Sequence, residues 1–364
     1  MKPSPAYETL LMDMLAIPAV SRKENARADF LEQRLRGMGF PVQRFHNNLL
    51  VGEAESRPHR PLVLLNSHID TVAPVEGWTD DPFLPRSVGD RITGLGSNDA
   101  GASVVTLIET FRLWQSRPDP DLRLLLLLSA EEEVSGDKGL SSVWPELPTP
   151  DAVMVGEPTG MHPAVAERGL MVLDGTVEGK AGHAARKEGE NAIYKALADV
   201  AFIEQLAFPK ASEWLPAPGA QVTMISAGSA HNVVPDVCRY VVDVRSNDMY
   251  TNEALLDLLR AGCRGTLVPR SMRLRSSSLK EDHPLMQAVH TCGMKPFGSA
   301  TLSDMALIPV PALKMGPGDS ARSHTAGEYI LRSELAAGVE EYTRFLRALA
   351  RVYRDRPSPT FITS

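Results

Sequence analysis

The apolar positions of this chain change their period twice, and the changes divide it. Over residues 7–38 they recur at helical spacing, with Leu31, Leu35 and Met38 on one stripe, a break near Pro18 and Gly39 as the stop. Residues 61–66, 122–129 and 152–155 instead each hold a short apolar run, the pattern of strands buried on both faces of a sheet. Residues 102–114 read as a helix. Strand and helix in alternation predict an α/β fold. Its sheet is mixed, mostly parallel and flanked by helices, and ligands gather beyond the carboxyl ends of the strands.

From about Gly169 the texture differs. Residues 170–177 alternate apolar with small or polar side chains, as a half-exposed strand does. A helix over 191–206 is predicted with Ile193, Leu197 and Val200 on one face. Strands over 221–225 and 240–244, a helix over 252–261 and a last strand near 272–275 complete a small α+β sandwich. After Asp282 the α/β texture returns. It ends in a long helix over 328–353 whose stripe is Leu331, Leu335, Val339, Tyr342, Leu346 and Leu349. The tail from Arg356, with Pro357 and Pro359, is expected to fray. The simplest architecture is one domain built from residues 1–168 and 278–364, with a second, residues 169–277, inserted in it.

Length agrees, since 364 residues exceed what one ordinary hydrophobic core organises. A hydrophobic share of 43% with 23% charged residues is that of a soluble globular chain. The longest apolar run, residues 124–128, is far too short to span a bilayer. A formal net charge of −7 argues against nucleic acid, which needs a basic face. That charge suits a cationic small substrate and equally serves solubility. Cys238, Cys263 and Cys292 are odd in number and widely spaced, so reduced thiols are expected. The first residues show no basic, apolar and small-residue leader pattern, and a cytoplasmic enzyme is the expectation.

The candidate chemistry lies in five short segments. Asn66-Ser67-His68-Ile69-Asp70 and Gly94-Leu95-Gly96-Ser97-Asn98-Asp99 come first. Ser129-Ala130-Glu131-Glu132-Glu133, Val155-Gly156-Glu157-Pro158-Thr159 and Ser323-His324-Thr325-Ala326 each follow a short apolar run. Imidazole and carboxylate are the ligand set of catalytic zinc. Residues two apart on a strand share a face, so Asp70 can accept the second N–H of a metal-binding His68. Asp99 offers two oxygens and can bridge two ions. Glu132 and Glu133 are neighbours, so they reach one centre only if the backbone turns between them; one then ligates while the other meets a water. A solvated acidic run is the alternative for these glutamates, and their place at the end of a buried strand speaks against it. His46, His59, His162, His283 and His290 lack such context and are read as surface residues.

These motifs resemble the co-catalytic zinc hydrolase family that contains acetylornithine deacetylase, succinyl-diaminopimelate desuccinylase, carboxypeptidase G and aminoacylases. The resemblance covers nearly the whole chain, with the motifs in the same order. It implies two zinc ions per chain, with cobalt or manganese as substitutes. His68, Asp99 and Glu157 would hold one ion and Asp99, Glu133 and His324 the other. Glu132 would be the general base and Asp70 would orient His68. The segment Gly179-Lys180-Ala181-Gly182-His183-Ala184 resembles the part of the inserted lid whose histidine reaches the active site of the partner in a homodimer. Asn232-Val233-Val234-Pro235 and Asp243-Val244-Arg245 resemble segments that supply an asparagine near the reacting carbonyl and an arginine for the substrate carboxylate. A guanidinium fork suits that carboxylate, and a surface salt bridge is the alternative for Arg245. By the same resemblance Ser299, Thr301 and Gly316 line the pocket.

One departure stands out. Many members carry a lysine two positions after the bridging aspartate, whereas Asp99 is followed here by Ala100-Gly101-Ala102. The ligands are untouched, but substrate identity transfers less securely. The closest branch is acetylornithine deacetylase-like, which implies hydrolysis of a small-molecule N-acyl amino acid, N-acetyl-L-ornithine first. N-succinyl-ornithine, N-acetyl-citrulline, N-acetyl-lysine, succinyl-diaminopimelate and dipeptides stay open as substrates. A binding protein that has lost the chemistry is the non-enzymatic alternative; Glu132 and all ligand candidates are nevertheless present.

Overall fold

A computed structural model describes residues 5–53, 60–186 and 188–355. The tail expected to fray and His59 lie outside them. The chain divides into two compact units, one of Met1–Val165, Leu279–Phe297 and Ser303–Ser364, the other of Ala166–Ser278 and Gly298–Leu302.

The first unit is built on a mixed sheet in the order Val42–Phe45, Asn48–Val51, Arg123–Ser129, Leu62–His68, Ala152–Val155, Ala312–Lys314, with Ala164 beyond. The three apolar runs are its adjacent central strands. Leu62–His68 runs parallel to both neighbours, with Leu65 opposite Leu126 on one side and Met154 on the other. Every residue of Leu62–His68 and Ala152–Val155 is buried, which is why neither shows a polar face. Helix Ala102–Ser116 is buried along most of its length. Helix Arg332–Asp355 turns Leu335, Val339, Tyr342, Leu346 and Leu349 inward. At the N-terminus, helices Ala6–Leu15 and Asn25–Gly37 flank the break at Pro18, and Gly39 sits at φ 88° past the second.

The last helix begins later than its periodicity predicts. Tyr329–Leu331 is a strand, antiparallel to Arg91–Thr93, which pairs in turn with Arg86–Val88. Glu328 therefore lies outside the helix.

The second unit is an antiparallel sheet ordered Gly219–Ala227, Val237–Ser246, Gly169–Glu178, Thr266–Pro269. Helices Ala192–Gln205 and Asn252–Gly262 share one core with Met171, Leu173, Tyr240, Val242 and Val244, so both cover the same sheet face. Gly175 lies opposite Tyr240, whose ring occupies the space a Cβ would need. Three expectations change. The fourth strand is Thr266–Pro269, not residues 272–275. The helix over 192–205 buries Ala192, Ala196, Asp199 and Ile203, and Leu197 points to solvent. A polar anchor sets that face: Asp199 accepts hydrogen bonds from the backbone N–H of Arg264 and Gly265 and from the Tyr240 hydroxyl, at 2.8, 2.9 and 3.0 Å. Residues 298–302, read with the first domain, group with the second unit, where the Arg168 N–H donates to the Ser299 carbonyl. The ends of the insertion are paired, Ser277 with Glu167 and Ser278 with Ala166.

The three cysteines are unbonded to one another, and among the described residues no helix is long and apolar enough to cross a membrane.

Candidate metal centre

His68 is the last residue of its strand and is buried. Its Nε2 lies 3.1 Å from Asp99 Oδ1, 3.8 Å from Glu157 Oε1 and 4.0 Å from Glu132 Oε2. Its Nδ1 faces Asp70, but the backbone carbonyl is nearer than the carboxylate, 3.0 against 3.6 Å. The Asp70 carboxylate has other work. It accepts from Ser21 Oγ at 2.7 Å and from the backbone N–H of Glu132 and Glu133 at 3.1 and 3.2 Å. Asp70 thus anchors the turn that carries the two glutamates.

That turn resolves the problem of neighbouring carboxylates. After strand Arg123–Ser129 the backbone enters the left-handed region at Glu131 (φ 56°), makes a single 3-10 turn over Glu132–Val134 and leaves through Ser135 at φ 44°. Glu132 is then directed to His68, and Glu133 to His324, whose Nε2 is 3.0 Å from Glu133 Oε2. His324 itself sits at φ 57°, a conformation a non-glycine residue holds only against strain. Asp99 stands between the histidines, Oδ1 toward His68 and Oδ2 3.6 Å from His324 Nε2. Ligand atoms of His68, Asp99 and Glu133 all lie within 4.8 Å of one another.

His68, Glu132 and Glu157 arise at the carboxyl ends of three adjacent parallel strands. Asp99 and His324 do not; each is presented by a loop. The Asp99 loop turns at Gly96 (φ 79°), and three of its backbone N–H groups, at Gly96, Asn98 and Asp99, donate to the buried carboxylate of Glu328, each at 2.9 Å. Asn98 also exchanges hydrogen bonds with the Asp319 backbone. Sequence reasoning missed Glu328 because its partners are backbone groups some 230 positions away. It also missed Asp304, a buried carboxylate that accepts from Ser129 Oγ at 2.6 Å. Burial pushes Asp304 up to about 6. Arg27 was missed as well. It is buried and donates to the carbonyls of Ile17 and Ile69. It shares the helical stripe of Leu31 and Leu35, so a charge on an apolar stripe was the available signal.

So many acids in one place affect one another's charge. Burial, together with Glu157, Asp304 and Glu133, holds the Glu132 carboxyl well above its ordinary range. Burial and Asp99 push Glu157 to about 8. Burial opposes charge on His68, but Asp70 and Asp99 outweigh it and raise its pKa. The hydrogen bond to Glu133 takes His324 to about 9. The donor set is nitrogen and oxygen only, and it fits divalent ions of zinc type. Ions bind deprotonated ligands, so if His68, His324 and Glu157 are among them, uptake would displace the protons they hold near neutrality. The expected result is proton release on zinc addition at pH ~7 and an affinity that rises toward pH ~9, read by competition titration across that range. An affinity independent of pH would remove these residues from the ligand set.

The remaining candidates belong to the second unit, except Gly316. His183 and Asn232 are brought together where Gly182–His183 pairs with Val233–Val234 and the Ala184 N–H donates to the Asn232 carbonyl at 3.0 Å; both side chains are exposed. Arg245 forks onto Asp243 of its own strand at 2.7 and 3.0 Å, the salt bridge that was its alternative reading. Beside it is an unforeseen arginine. Arg168 Nη2 donates to the carbonyls of Arg245 and Ala217, while its buried Nε has no partner among the described residues. Ser299 and Thr301 hydroxyls are 3.0 Å apart. Gly316, in the first unit, donates to Thr159 Oγ1, and a Cβ there would meet the Glu157 backbone.

Known proteins match this chain along most of its length. The profile of Peptidase family M20/M25/M40 matches residues 64–348. The chain belongs to that hydrolase family. It is 27% identical to the succinyl-diaminopimelate desuccinylase of Sphingopyxis alaskensis over 68% of this chain and 69% of that one. It is also 27% identical to the acetylornithine deacetylase of Myxococcus xanthus, over 95% and 96%. Among solved structures, the aminopeptidase PepT of Bacillus cereus superposes with a TM-score of 0.76 at 18% identity, over 94% of this chain and 98% of that one. The YXEP protein of Bacillus subtilis, described as a dinuclear metal binding peptidase of the M20 family, gives 0.67 at 16% identity, over 95% and 99%.

Proposed function

We propose that this protein hydrolyses the amide bond of an N-acyl amino acid, with N-acetyl-L-ornithine as the first candidate, using two divalent ions. The observation that carries the reading is the Glu131–Ser135 turn, which sends Glu132 and Glu133 to different histidines on either side of Asp99. His68, Asp99 and Glu157 would hold one ion, and Asp99, Glu133 and His324 the other; zinc is the first choice, with cobalt or manganese as substitutes. Bound ions of this kind polarise an amide carbonyl and make water a better nucleophile. Glu132 takes the proton of the attacking water and returns it to the leaving amine, a role its high proton affinity supports. Asp70 keeps Glu132 and Glu133 in register through their backbone N–H groups.

His183 stabilises the oxyanion from the partner of a homodimer formed by the inserted unit, in a cytoplasmic setting, and Asn232 lies near the reacting carbonyl. Support for the dimer comes from the edge strand Gly219–Ala227, where Met224 and Ile225 are 66% and 53% exposed, and from Tyr194 and Leu197 on the helix over 192–205, also exposed. Arg245 holds the substrate α-carboxylate, and Ser299, Thr301 and Gly316 border the pocket.

One observation favours a second reading. Arg168 beside Arg245 supports an acyl group with its own carboxylate, hence a succinyl substrate. A screen of N-acetyl-, N-succinyl- and N-formyl-ornithine, citrulline and lysine with added zinc or cobalt decides between them. Under the second reading Arg168→Lys raises KM for the succinyl substrate about tenfold or more, as a charge-assisted hydrogen bond is worth roughly 1.5–3 kcal/mol, and leaves an acetyl substrate unchanged. Equal effects on both would withdraw Arg168 from acyl recognition.

A further inference from the structure

We infer that Glu328 is a positioning residue that sets the place of Asp99 relative to His324, and so the spacing of the two metal positions. The inference rests on the two-metal reading above and extends it to a residue outside the ligand set. Three backbone N–H groups of the Asp99 loop point at one buried carboxylate, with Gly96 donating to Oε2 and Asn98 and Asp99 both donating to Oε1. Convergent backbone N–H groups form an anion cradle, and here the anion is a side chain of the same protein. A second tie runs through the backbone, from the Gly94 N–H to the Glu328 carbonyl at 3.0 Å.

The segment that supplies this clamp also supplies His324, four positions earlier. One stretch of chain therefore bears a ligand and fixes the loop that bears another. Asp99 directs one oxygen to each histidine, at 3.1 and 3.6 Å, so a rotation of its backbone displaces both contacts together. The loop turns at Gly96, whose φ of 79° and the Thr71 side chain in the space a Cβ would need restrict that position to glycine. The Asp99 loop is thus held from Glu328 by three backbone N–H groups.

The test uses the full-length protein and cobalt(II), read by its visible absorption and by metal content after dialysis. Glu328→Gln keeps the shape but replaces one acceptor by a donor that faces an N–H. Cobalt affinity at one or both positions should fall about 10- to 100-fold, as for other residues that orient ligands, and the absorption band should change with the ligand geometry. Turnover should fall without a matching rise in KM. Asp90→Asn is the control, since Asp90 accepts from Ser333 N–H in the same unit but touches no metal loop; it should leave the cobalt titration unchanged. If Glu328→Gln fails to fold, Glu328→Asp carries the same expectation, because it keeps both acceptors and withdraws them by one methylene. A variant that merely lowers the melting temperature, with cobalt affinity and band as in the wild type, overturns the inference and leaves the two-metal reading standing. Failure of the wild type itself to take up two ions overturns both.

Discussion

Glu132→Gln should lower turnover by about 100- to 10,000-fold, the range of a general base, with both ions still bound. Glutamine keeps the shape and the backbone hydrogen bond to Asp70, so the turn is expected to survive while the proton acceptor is lost. Glu133→Gln should behave differently. Its carboxylate lies 3.0 Å from His324 Nε2, and its replacement should release one ion, seen as halved metal content after dialysis. The contrast isolates the turn between the two residues, since they differ by one position and by the direction that the left-handed Glu131 imposes. Should Glu132→Gln lose the ion and Glu133→Gln keep it, the two roles are exchanged.

Activity should reappear when two dead variants are mixed. Glu132→Gln and His183→Ala are each expected to be nearly inactive, but in a hybrid dimer one site combines the intact Glu132 of one chain with the intact His183 of the other. Random exchange makes about half the dimers hybrid, each with one good site, so about a quarter of wild-type activity should return if pairing is isologous. Exchange demonstrated by labelled subunits without recovery would place His183 in its own chain's site or outside the reaction. Replacing Ile225 by aspartate on the exposed edge strand should abolish both the dimer and the recovery.

What was legible in the sequence follows from how each feature is specified. The central strands are written as runs of apolar residues because both of their faces are buried, and no surface requirement dilutes the signal. The candidate ligands are written as residue types with distinctive chemistry at the ends of those runs. The Glu328 clamp is specified on one side by backbone N–H groups, which every residue but proline has, so its partners carry no sequence signature. The buried face of the helix over 192–205 was misread for a related reason. Periodicity rewards Leu197, while three hydrogen bonds to Asp199 decide the rotation. The strand Tyr329–Leu331 was absorbed into a helix because Leu331 continues the stripe by coincidence of spacing.

The paired ends of the inserted unit carry one more consequence. Ala166 and Glu167 lie across from Ser278 and Ser277 on neighbouring antiparallel strands, so the chain leaves and re-enters the first unit a single strand spacing apart, roughly 5 Å. A gap that narrow can be closed by a hairpin turn. Every candidate metal ligand lies outside the insertion, while His183, Asn232 and Arg245 lie within it. Exchanging residues 169–277 for the equivalent segment of a relative with another substrate becomes a direct route to new specificity with the candidate metal ligands unchanged.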